Sequence, residues 1–328
     1  MIHIKRPQGP PGIPMYTRKS RTLESTGAKM TPHAWETEEA IRFCSNPLNY
    51  KDGKKLTTES FDFKVYRNKP LRKRLEDLFR GKCAYCDSTF AHVASGDIEH
   101  FRPKAEIDTG SEKLYPGYYW LATNWHNLLL SCQYCNRTNY HETPDLPGEE
   151  VRMGKWDQFP VSNSNGRVRS HLQDIADEEP HRLLLNPCTD EPEEHLLFTQ
   201  DGLVRARPLP AGGTSEKAEY SIAVYALRRK ELVEEREKCA DRLILVLEAL
   251  GDAGYNYHSA GDEEGRKRNM SALRRNFGGL RSYLEPKAPY LALVRQIIRD
   301  YDQAGKFDQV KLLGFDPMQM LVSSLDAG

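Results

Sequence analysis

No apolar run in this 328-residue sequence approaches the ~18 residues that a membrane-spanning helix needs. The first residues also lack the apolar core of a secretory signal. Both absences point to a cytoplasmic protein with no membrane partner. An excess of one charge is missing too, since 47 Lys and Arg stand against 47 Asp and Glu. That excludes a wholesale polycation, so any nucleic-acid binding must come from a local basic face. The seven cysteines are odd in number and unevenly spaced, which argues against a disulfide framework. A chain of this length can bury a core without such staples. No repeat period is visible.

What is present begins with the cysteines. Four of them form two C-x-x-C pairs, Cys83/Cys86 and Cys132/Cys135, with 45 residues between the pairs. Two such knuckles argue for a tetrahedral zinc held by four thiolates. Cys44, Cys188 and Cys239 are scattered and read as small buried hydrophobes.

Residues 1–60 read as an N-terminal arm and a short helix. Residues 7–14 are too rich in proline for a helix or a central strand, and a helix is expected from Thr31 to Phe43 with Pro32 at its first position. Residues 64–82 are basic, with Leu71, Leu75, Leu78 and Phe79 at helical spacing, which predicts an amphipathic helix running into the first knuckle. Its Arg72, Lys73 and Arg74 are candidate phosphate contacts, against the plainer reading of a solvated helix face. Residues 61–160 form the knuckle-bearing domain, and 161–213 read as a loop-rich connector with a hairpin turn at Asp201-Gly202.

Residues 214–328 read as a helical region. A long helix is expected from Thr214 or Ser215 to about Leu250, then a polar loop over 251–265, then helices near 266–283 and 287–304. Leu243, Val246, Leu247 and Leu250, with Tyr290, Leu291, Leu293, Val294, Ile297 and Ile298, make an apolar stripe. It serves either to pack these helices together or to dock a partner. The fold class that follows is α+β: a small zinc-stapled unit embedded in a mainly helical chain.

Between the knuckles stand Asp97-Ile98-Glu99-His100-Phe101-Arg102-Pro103-Lys104 and Trp125-His126-Asn127-Leu128, and the second knuckle reads Cys132-Gln133-Tyr134-Cys135-Asn136. This order, with nine residues from Asn127 to Asn136, resembles the HNH (ββα-metal) endonucleases. The resemblance implies a phosphodiester hydrolase acting on DNA with a catalytic Mg²⁺ or Mn²⁺ besides the structural zinc. It makes His100 the general base, an imidazole that titrates near neutral pH. Glu99, where the family often has Asp, and Asn136 become the oxygen ligands of the cation, and Asn127 the residue that holds the hairpin loop. Asp97 is a weaker alternative to Glu99. Arg102, Lys104 and Arg137 flank this step as candidate phosphate contacts. His126 and His141 read as ordinary polar residues, and Tyr118, Tyr119, Trp120 and Trp125 as core rather than base-stacking surfaces.

A looser resemblance covers more of the chain. Cys83-Ala84-Tyr85-Cys86, Glu99-His100-Phe101-Arg102-Pro103-Lys104, Phe159-Pro160, Leu184-Leu185-Asn186-Pro187 and Ser221-Ile222-Ala223-Val224-Tyr225-Ala226-Leu227 are similar to the HNH subunit of Septu-type anti-phage systems and related retron-associated effectors. That likeness implies an ABC-type ATPase as protein partner. The competing classes are a non-catalytic zinc-knuckle nucleic-acid-binding or scaffold subunit, and an HNH nuclease directed at RNA.

Overall fold

The computed structural model describes residues 1–7, 21–22, 29–46, 48–49 and 61–326. With 48% helix against 13% strand, it is a mainly helical α+β chain with small sheets. Most of the expected proline-rich arm lies outside the described residues. Its first residues do not: Met1, Ile2 and Ile4 are buried, and the Ile4 N–H donates to the Pro187 carbonyl (2.7 Å).

Helix α1 (Pro32–Cys44) starts where the sequence places it, with the Thr31 hydroxyl accepting from the Ala34 N–H and proline in the first turn. Helix α2 (Lys69–Leu78) is shorter than the basic stretch that contains it. Asn68 is extended at the N-cap (ψ 132°) and Pro70 stands in the first turn, so residues 65–67 form only a separate 3₁₀ turn. Arg80 and Gly81, both at positive φ, end the helix, and the Gly81 N–H closes it on the Glu76 carbonyl.

Strands β1 (Asp97–His100) and β2 (Leu128–Ser131) pair antiparallel, with Asp97 opposite Ser131 and His100 opposite Leu128. Helix α3 (Gln133–Asn136) follows at once. Beyond it, β3 (Asn139–Thr143) and β4 (Leu146–Met153) make an outlying hairpin. The turn at Asp201-Gly202 joins β5 (Leu196–Phe198) to β6 (Val204–Ala206), as expected.

The expected single helix from Ser215 is two. Ser215 caps α4 (Glu216–Val224), and α5 then runs Lys230–Ser259. The chain breaks between them because Tyr225 is buried against Tyr85, its ring stacked at 3.9 Å between centroids, and Ala226 adopts φ 52°. Tertiary burial overrides helical propensity there. The expected polar loop over 251–265 is instead the end of α5 and the start of α6 (Glu263–Leu284). Gly254 lets α5 pass close to residue 310, since a Cβ there would lie 2.8 Å from a Val310 methyl. Helix α7 (Leu291–Gln303) starts later than predicted, because the Asp87 carboxylate accepts from the Leu291 N–H (2.7 Å). Helix α8 (Pro317–Asp326) closes the described chain.

The apolar stripe is covered from within. Leu243, Leu247, Leu250, Leu291, Leu293, Val294, Ile297 and Ile298 are all buried in one cluster that also holds the four knuckle cysteines. Tyr290 and Val246 pack against it partly buried. The stripe therefore joins the helical region to the knuckles, and its reading as a free docking face is corrected. Among the described residues no helix is long and apolar enough to cross a membrane.

Candidate metal centre and adjoining cavity

Cys83 and Cys86 sit on the loop after α2, Cys132 at the end of β2 and Cys135 in α3. The Ala84 N–H donates to the Leu130 carbonyl (2.8 Å), which lays the first knuckle along β2. All four thiols are buried, with their sulfurs within 4.8 Å of one another. The Cys86–Cys132 Sγ separation is 3.8 Å, the edge expected of a tetrahedron built on bonds of ~2.3 Å to zinc. Hydrogen bonds from the other three thiols, led by Cys132, hold Cys86 well below the usual thiol range, while burial pushes Cys83 up, so without a metal Cys86 is the thiol that most readily becomes the ligating thiolate. Four buried cysteines in this arrangement can hold a metal such as zinc.

Arg229, just before α5, and Arg236 on its apolar side lie near this cluster. The Arg229 guanidinium donates to Cys135 Sγ (3.5 Å). Arg236 is fully buried, donates to the Leu227 carbonyl and lies over the Phe198 ring. Burial lowers its pKa to about 10, with Cys86 acting in the opposite sense. The signal for both was readable: they occupy positions 229 and 236 on the face that continues through Leu232, Val233, Ala240 and Leu243, where apolar residues belong.

Beside the knuckles lies a half-open cavity of about 760 Å³. Asp97, Glu99, His100, Lys104, Asn136, Arg137 and Arg72 line it, so the structure gathers most of the sequence-predicted residues. His100 Nε2 donates to the Ala122 carbonyl (2.9 Å), since a carbonyl only accepts. The lone pair is thereby left on Nδ1, which lies 3.5 Å from the Lys104 ammonium. Burial, reinforced by Lys104, holds His100 well below the usual imidazole range, so it is neutral at neutral pH. The Tyr66 ring meets it edge-on at 4.6 Å.

Asn127 lies beneath the cavity. Its amide nitrogen donates to the Arg102 and Leu121 carbonyls and its oxygen accepts from the Arg102 N–H (2.8 Å). These bonds pin the chain leaving β1 to the turn that enters β2. Asn136 Nδ2 donates to Asp97 (3.1 Å), which orients its buried Oδ1 elsewhere, without a partner. Asp97 also receives both arms of Arg137. It shares a strand face with Glu99, but its role here is to orient Asn136 and Arg137.

Glu99 is buried and paired with Lys155, Nζ to Oε1 at 2.6 Å. Burial raises its pKa despite that ammonium. Lys155 is fully buried and also donates to the His100 carbonyl (3.0 Å). Sequence reasoning missed it, because it enters from beyond the β3–β4 hairpin. The Lys155 N–H donates to the Cys135 carbonyl and the Trp156 N–H to that of Asn136, so residues 155–156 are bolted to the second knuckle.

Other expectations change place. Arg102 is buried, with its guanidinium on Glu178 (2.8 Å) and Glu179 (2.6 Å), so its reading as a phosphate contact is corrected. Lys73 and Arg74 are exposed outside the cavity lining. Arg72 lines the cavity but donates to the Ser95 carbonyl (2.5 Å). Tyr118, Tyr119 and Trp125 are core, as expected. His126 is exposed and His141 buried. Among the described residues only the four cysteines form a cluster of three or more His, Cys, Asp or Glu able to hold a metal.

The chain matches no protein-family profile. Over 168 residues, 51% of this chain, it is 28% identical to Septu protein PtuA of Bacillus mycoides (strain KBAB4), of which it spans 20%. Over 252 residues it is 36% identical to Septu protein PtuB of the same strain, covering 74% of this chain and 77% of that protein. On that extent of identity, the chain belongs to the family of Septu protein PtuB.

Proposed function

We propose that this chain is a metal-dependent phosphodiester hydrolase of the HNH type, cutting DNA as the effector of an anti-phage defence system. The observation that carries this reading is the state of His100: its proton is fixed on Nε2 by the Ala122 carbonyl and its lone pair is on Nδ1, in a cavity lined by both cations and carboxylates. That is the arrangement of a base. The family relationship to PtuB supports the defence role.

The residues present fit a hard cation. Asn136 Oδ1 is a buried acceptor without a partner, and Glu99 keeps Oε2 beyond its contact with Lys155. Two protein oxygens, completed by water and substrate phosphate, suit Mg²⁺ or Mn²⁺. Such an ion would neutralise charge on the scissile phosphate and the departing oxygen.

His100 Nδ1 takes the proton from the attacking water. Asn127 keeps the imidazole facing the cavity by fixing the loop that follows it. Lys155 holds the Glu99 carboxylate and the His100 carbonyl in one frame, and Lys104 offers a charge to the phosphate. Cys83, Cys86, Cys132 and Cys135 would hold a structural zinc, which would supply folding free energy to the knuckles.

An ABC-type ATPase is the partner in this reading. Four fifths of the PtuA relative lies outside its match to this chain, so a module of this kind also occurs inside a larger Septu protein. The test of the function is direct. Purified protein is incubated with plasmid, single-stranded DNA and tRNA, with and without Mg²⁺, beside His100→Ala. Mg²⁺-dependent cleavage lost in the variant supports the reading, and cleavage equal in both rejects it.

A further inference from the structure

Trp156 stands apart from the other aromatic residues near the cavity. Tyr118, Tyr119 and Trp125 are at most 4% exposed, whereas Trp156 is 49% exposed and lines the cavity beside Asn136 and Arg137. Its backbone has φ 44°, a conformation that costs a bulky residue about 1–3 kcal/mol and persists only where its surroundings impose it. They do so here. The Trp156 N–H donates to the Asn136 carbonyl and the Lys155 N–H to that of Cys135. Gln158 closes the turn on the Gly154 carbonyl (2.8 Å), and Gly154 lies so close to Arg137 that a Cβ would stand 2.0 Å from its carbonyl oxygen. A strained, rigid turn therefore displays an indole at the wall of the cavity.

The rest of the lining fits what an indole would bind. Arg67, Arg72, Lys104 and Arg137 outnumber Asp97, Glu99 and Asp157, even before Lys155 is counted. Tyr66 adds an aromatic surface, with the Lys104 ammonium 4.8 Å from its ring centre. Cations that follow a phosphate backbone, interleaved with aromatic faces, are the recognition chemistry of single-stranded nucleic acid. The cavity's 760 Å³ is in the range of small-ligand pockets, space for roughly one or two nucleotides and not for a duplex.

We propose that this cavity takes an unpaired nucleotide, its base laid against Trp156 and its phosphate against Lys104 and Arg137, so that the strand presented to His100 is single-stranded. This rests on the nuclease reading and names the substrate class for that same site. In a duplex, stacking on the neighbouring base pairs buries the face that the indole needs, and a duplex substrate would have to extrude its base first.

The test is binding by the full zinc-loaded chain in Mg²⁺-free buffer, where no cleavage intervenes. The probes are a fluorescently labelled oligothymidine, its oligouridine counterpart and a labelled duplex of equal length. The wild type should bind the single strands more tightly than the duplex, and the two sugars show which strand is the source. Trp156→Ala should weaken single-strand binding on the order of tenfold and leave duplex binding unchanged, while Trp156→Phe retains most of the affinity. Unlabelled single strand should quench tryptophan emission in the wild type and lose most of that quenching in Trp156→Phe, which keeps a ring in place. Unchanged single-strand affinity in Trp156→Ala, or equal losses on both probes, overturns the proposal and leaves the nuclease reading standing. No binding of any probe by the wild type overturns both.

Discussion

The thiol cluster and the cavity beside it are built to different degrees. Four sulfurs converge within 4.8 Å, and Arg229 already donates to one of them. In the cavity, by contrast, Asp97, Glu99 and His100 make no such cluster. Glu99 is held by Lys155, Asp97 by Asn136 and Arg137, and His100 by Ala122. The first region is a gathered set of four sulfurs that can hold a metal such as zinc. The second keeps Asp97, Glu99 and His100 apart, each on its own protein partner, and leaves Asn136 Oδ1 without one. The two regions are joined through residues 155–156, whose backbone N–H groups donate to the Cys135 and Asn136 carbonyls.

The sharpest way to break this comparison is to remove the structural centre. Cys135→Ser should give insoluble or protease-sensitive protein without bound zinc, because a structural zinc contributes on the order of 10 kcal/mol to folding. Elemental analysis of the wild type should find close to one zinc per chain. His100→Ala should act on the other region alone: cleavage falls ~10²–10⁴-fold, while the thermal melting curve and the zinc content stay as in the wild type.

Lys155→Met tests the link between the two. It leaves the Glu99 charge buried without its partner, which should cost ~3–5 kcal/mol in urea unfolding. Adding Glu99→Gln should recover much of that stability without recovering cleavage. The smallest effect is electrostatic. Lys104→Gln should lower the log–log salt slope of single-strand binding by ~0.7, whereas Lys73→Gln and Arg74→Gln, outside the cavity lining, should leave it unchanged.

What was legible in the sequence follows the same division. The cysteine spacing, the Thr31 and Ser215 caps and the Asp201-Gly202 turn are local signals, and each lies where local chemistry places it. The residues that needed distant partners were not legible. Arg102 reads as a surface cation until Glu178, 76 positions away, takes it inward. The break at Ala226 exists because Tyr225 stacks on Tyr85, and nothing local announces it. Lys155 reaches Glu99 from beyond a polar hairpin, so no spacing rule connects them. Arg229 and Arg236 were the exception: charges at apolar positions of a helix that could have been read as partners of the thiols.

The central claim is that the cavity, and not the knuckles, carries hydrolysis, with His100 as its base. Single-turnover cleavage of a labelled single strand by His100→Ala and wild type, both verified to hold equal zinc, tests it most directly. The account predicts Mg²⁺-dependent cleavage in the wild type and a loss of at least about a hundredfold in the variant, with strand binding retained. Cleavage by His100→Ala at the wild-type rate, with zinc and fold intact, would contradict it.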